Sequence, residues 1–125
     1  MAWTARSLQP DLPIIEMVVS GSITHRDSDD MRAAVRVLLA DEGLTRVLYD
    51  ATDLMHPPTS TDIITVADSI VATHVPDGFR NAHVRPADPS AGMWTDHWVA
   101  VANNRGIMTA VFHTRDEAID WLLAE

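Results

Sequence analysis

Arg46-Val47-Leu48-Tyr49-Asp50 is a short run, apolar almost without interruption until its acidic carboxyl end. Such a run is expected of a strand covered by helices, because neither face is left to water. Both flanks supply those helices. Upstream, Asp27 or Ser28 is placed to cap a helix whose first turn carries Asp29 and Asp30, where the positive end of the helix dipole favours carboxylates. Met31, Ala34, Val35, Leu38 and Leu39 then fall on one helical face, and Gly43 closes the helix in the left-handed position. Downstream, a polar loop leads to Pro57 and Pro58, and Thr59 or Ser60 caps a second helix. Its stripe is Ile63, Val66, Ala67, Ile70, Val71 and His74.

Further out the alternation continues. Ala2–Leu8 and Ile14–Val19 flank the turn-rich Gln9–Pro13 and read as a hairpin, with the first strand at a sheet edge; Gly21 breaks the second. Asn81–Arg85 is a short strand, 86–90 a rigid proline loop, Met93–Asn104 a helix and Ile107–His113 a strand. Thr114-Arg115-Asp116-Glu117 fits a capping box opening a last helix, with Ala118, Trp121 and Leu122 on one face. The expectation is an α/β single domain over 1–125, with a mixed, mostly parallel sheet of about five strands, an N-terminal hairpin and about four helices.

Composition narrows the function. The chain has 125 residues with 46% hydrophobic and 22% charged, which suits one globular domain of ordinary size. Without cysteine there are no disulfides, thiolate metal sites or cysteine nucleophiles. Eighteen acidic against nine basic residues give a net charge of −9, which repels nucleic-acid phosphates and anionic lipid. All nine basic residues are arginine, so lysine chemistry is excluded. No apolar run approaches the ~20 residues that span a bilayer. Met1–Pro13 lacks a basic start followed by an apolar core, so the expected location is the cytoplasm.

Candidate chemistry is sparse. Histidines at 25, 56, 74, 83, 97 and 113 include no pair at metal-binding helical spacing, and no cofactor or metal is expected. His83 and Arg85 share one strand face, where they flank an anion or meet solvent or a neighbouring helix. Asp96 and His97 are adjacent, but consecutive helical residues do not face each other. No serine lies in a nucleophile-elbow motif, which leaves a small hydrolase only as an assembly of dispersed residues. Met93, Trp94, Trp98 and Val101 form the main apolar feature of the third helix: core, a lid over an apolar ligand pocket, or a homodimer contact.

The order of elements, with Gly21-Ser22-Ile23-Thr24, Val47-Leu48-Tyr49-Asp50-Ala51-Thr52 and Val111-Phe112…Glu117-Ala118…Trp121-Leu122, resembles the SpoIIAA-like group of STAS-related proteins along most of the chain. The resemblance implies a β-α superhelix and a binding or regulatory module rather than an enzyme. In STAS anti-sigma antagonists a strand aspartate leads through a loop to Asp-Ser-Ser-Gly, whose serine is phosphorylated. Aligning Asp50 with that aspartate puts Pro58, Thr59, Ser60 and Thr61 on the tetrapeptide, keeping hydroxyls but neither acid nor glycine. Thr59 and Ser60 are thus phosphoacceptor candidates by resemblance and helix caps by local chemistry. Asp50, Thr52, Asp53 and His56 form the candidate loop for a protein partner. The alternative partner is a small apolar ligand.

Overall fold

A computed structural model describes residues 2–58, 61–72 and 75–124. The order is β1(Trp3–Ser7), β2(Ile15–Ser22), α1(His25–Glu42), β3(Arg46–His56), α2(Thr61–Ala72), β4(Arg80–Val84), α3(Pro89–Asn104), β5(Thr109–Phe112) and α4(Arg115–Leu123). The five strands lie side by side in sequence order; β1 is antiparallel to β2 and every later pair is parallel. The expected α/β fold, with its opening hairpin and four helices, is the one observed.

Sequential strand order has a geometric consequence. All three parallel crossovers step in one direction, so right-handed connections send α1, α2 and α3 to the same face. Packing agrees: Met31 of α1 and Ala91 of α3 share a cluster with Met17, Val19 and Ala51, whereas Ala118 and Leu122 of α4 pack with Leu48, Ala82 and Val84 on the opposite face. Strands are ~4.8 Å apart but packed helices need 8–10 Å, so three helices cannot all lie flat above their own crossovers. Accordingly α1 sits over β1 and β2, and α3 over β3 and β5. In α2, Ile63 and Ala67 pack on Trp98, Val101 and Ala102 of α3.

Several boundaries differ from those read in the sequence, each for a local reason. Helix α1 opens earlier, because Thr24 caps it: its hydroxyl accepts from Asp27 N at 3.1 Å, and the Asp27 carboxylate accepts from Thr24 N at 3.0 Å. Gly43 closes it with φ 65°, as expected. Strand β2 runs through Gly21, whose φ of 62° fits the register shifts against β3. Helix α3 starts inside the expected proline loop, with Asp88 capping Ala91 N at 3.0 Å and Pro89 in the first turn. At α4 half of the capping box forms: Thr114 Oγ1 accepts from Glu117 N, but the Glu117 carboxylate accepts from the Thr114 hydroxyl, not its amide. Val71, assigned to the buried stripe of α2, is 46% exposed.

Candidate functional site

The gap between α1 and α3 is a pocket of about 210 Å³. Its floor follows from strand register, since residues paired across parallel strands point to the same face. Met17, Tyr49 and His83 occupy one row of the sheet, and Val47 and Asn81 lie in the row behind them. Met31, Val35 and Leu39 of α1 form one wall, and Trp94 and Trp98 of α3 the other. Ile63, Val66 and Ile70 of α2 cover it, with Val75 and Phe79 beside them. The lining is therefore mostly apolar, with a small set of polar groups, as in small-molecule sites.

Those polar groups are unusual in their pairing. His83 is 3% exposed, and burial alone pushes its imidazole down to about 3, so it is neutral. Its Nε2 lies 3.1 Å from the Trp98 indole nitrogen and 2.8 Å from Asn81 Oδ1. The indole only donates. If Nε2 accepts from Trp98, the ring proton sits on Nδ1, which has no partner among the described residues. If Nε2 instead donates to Asn81, the indole N–H is left without an acceptor. Either tautomer leaves at least one buried polar group unmatched, at a cost of ~1–3 kcal/mol for each. Trp94 Nε1 is also buried without a partner among the described residues. The Tyr49 ring lies 4.8 Å from the imidazole, and burial raises its phenol above the ordinary value.

The charged residues among the described lining of the pocket are Arg32 and Arg36. With Ser28 they stand at steps of four along α1, one residue round from the apolar wall. Arg32 Nη1 donates to Ser28 Oγ at 3.0 Å, and Nη2 pairs with Asp29. Arg36 is exposed, and among the described residues it has no hydrogen bond or ion pair. No cluster of three potential metal ligands occurs among the described residues, and none of their helices is long and apolar enough to cross a membrane.

The sequence-derived candidates are divided by this geometry. Trp94 and Trp98 line the pocket, but α3 is a wall and α2 is the cover, not the reverse. Val101 is buried between α2 and α3, and Met93, one residue off the stripe, is 70% exposed. The candidate loop after Asp50 is strand: β3 continues to His56, burying Ala51 and Leu54 while Thr52, Asp53 and His56 stay exposed. Asp50 Oδ1 accepts from Thr52 N at 3.1 Å and Thr52 Oγ1 at 2.7 Å, a local turn-like bracket. Thr59, Ser60 and His74 lie outside the described residues. His83 is buried and Arg85 pairs with Asp96 at 3.0 Å, so the two do not flank a common anion; Asp96 faces Arg85, not His97. Sequence reasoning does not single out Met17, Tyr49, Asn81 or Arg36: the four-residue step from Arg32 to Arg36 beside the apolar stripe is a local signal for Arg36, whereas the three floor residues meet only through strand register.

A crystal structure of an uncharacterized protein of the DUF3478 family with a SpoIIAA-like fold, from Shewanella loihica PV-4, matches this fold with a TM-score of 0.60 at 19% identity. The match covers 97% of this chain and 92% of that chain. The chain has a SpoIIAA-like fold. No family model matches the sequence, and a comparison with curated proteins finds no relative.

Proposed function

We propose that this domain is a non-catalytic binding module for a small, largely apolar molecule, held between α1, α2, α3 and the sheet. The observation that carries this reading is the pocket itself, about 210 Å³ walled mainly by apolar side chains. A cavity of ~150 Å³ with such walls stays dry and accepts benzene, so this one has room for a somewhat larger guest. A binding role also fits the polar groups, because His83 Nε2 lies against Trp98 and Asn81, and among the described residues the imidazole has no hydrogen bond to a hydroxyl that it could activate.

Native mass spectrometry of the chain as isolated, with titration of simple apolar compounds followed by Trp94 and Trp98 fluorescence, tests the reading. A co-purifying small mass, or saturable emission changes abolished by Val66→Trp, supports it. A bare chain with no response to any compound removes it. A protein-partner role is the second reading, favoured by the exposed Thr52, Asp53, Met55 and His56 at the end of β3. Substitution of Asp53 and His56 that leaves every pull-down partner in place would discard that role.

A further inference from the structure

Building on the ligand-binding reading, we propose that the pocket selects organic acids, with a hydrocarbon body inside and a single carboxylate held by Arg36 at the mouth. The protein carries twice as many acidic as basic residues, so a pocket of average surroundings would be negative. This one is not. Among its described lining residues there are two arginines and no carboxylate. Beyond ~8 Å at physiological ionic strength the remaining charges are screened, and with Arg32 paired to Asp29 the uncompensated charge among the described lining residues is Arg36.

The two arginines have different states. Arg32 is held by Ser28 and Asp29, its side chain only 22% exposed. Arg36, one turn further along α1, has its guanidinium uncommitted among the described residues while lining the pocket. A guanidinium is a planar fork of donors that matches a carboxylate bidentately. Because α1 carries Met31, Val35 and Leu39 beside Ser28, Arg32 and Arg36, a guest lying across the helix face passes from hydrocarbon to cation. The volume sets the size: at ~30 Å³ for each water-sized unit, the interior of about 210 Å³ takes about seven non-hydrogen atoms, with the carboxylate outside it at the mouth, which describes a one-ring or short-chain monocarboxylic acid, not a two-chain lipid.

The experiment compares octanoate, 1-octanol and octylamine, which share a chain and differ in head group, by isothermal titration against the full chain, Arg36→Gln and Arg36→Lys. The expected result is that Arg36→Gln weakens octanoate about five- to tenfold, while 1-octanol changes less than twofold and Arg36→Lys restores part of the loss. Added salt weakens octanoate alone, and octylamine binds more weakly than octanoate. If the compounds bind but Arg36→Gln affects octanoate and octanol alike, or octylamine binds best, acid selection is overturned and the apolar pocket stands. If none binds, both fall together.

Discussion

Lowering the pH from 7.5 to 5 is expected to remove about 2 kcal/mol of stability through His83 alone. In the native state this imidazole takes a proton only near pH 3, because it is buried against Trp98 and Tyr49. In the unfolded chain it does so near the ordinary 6.5. Between those values the unfolded state holds the extra proton, so acidification favours unfolding; the full contribution is present above pH 6.5 and is lost as pH falls toward 3. The limiting slope is ~1.4 kcal/mol per pH unit, and one and a half units below 6.5 the loss is ~2 kcal/mol. With urea slopes of ~1–3 kcal/mol per molar for small domains, the midpoint falls by about 1 M.

Carboxylates also titrate over part of this range, so the assay is a difference. Urea melts at pH 7.5 and 5 are compared between the native sequence and His83→Gln, which removes the proton site but keeps a hydrogen-bonding side chain beside Asn81. The variant is expected to lose about 2 kcal/mol less on acidification than the native chain. Equal losses would show that His83 takes its proton at the same pH folded and unfolded, and would refute the account of a dry, neutral imidazole under the pocket.

Two further outcomes follow from packing away from the pocket. Glu16 is 4% exposed beneath α4 and accepts from Arg6 Nε at 3.0 Å and Arg115 Nε at 3.1 Å; Arg115→Ala leaves that carboxylate short of a partner and is expected to cost about 2–3 kcal/mol in urea melts, more than Arg6→Ala, whose side chain is 68% exposed. In Gly92→Ala the new Cβ would lie 2.7 Å from the Arg85 guanidinium, which must swing off Asp96; since Ala gains ~1 kcal/mol over Gly in a helix and an exposed pair gives ~0–1, melts should show stability unchanged or slightly raised while NMR shows Arg85 released.

The fold was legible because its signals are local. Met31 and Ile63 head stripes with helical period, Gly43 and Thr114 sit at helix ends, and the alternation of elements specifies the crossovers. The reach of β3 was not legible: Thr52 and Asp53 read as loop, and the register shifts that let Ala51 and Leu54 both face inward depend on the neighbouring strand. Trp94 and Trp98 line one wall together because residues four apart share a helical face, whereas Met93 is rotated by ~100° and points to solvent. The pocket floor had no local signal, since Tyr49 and His83 are 34 residues apart and meet only through the β3–β4 register.

The width mismatch between helices and strands explains why a gap exists, but such a gap belongs to the topology, so its lining has to carry the selectivity. Here burial keeps His83 and Tyr49 uncharged near neutral pH, which leaves the arginines as the charged groups among the described lining residues. A guanidinium keeps its proton throughout the working range. The electrostatic character of the pocket is therefore constant with pH while the protein is folded. It follows that any pH dependence in acid binding must come from the acid's own carboxyl, near pH 4–5 for an ordinary carboxylic acid, and not from a histidine switch. A midpoint near 6.5 would instead place an accessible imidazole in the pocket, in conflict with the buried contacts of His83.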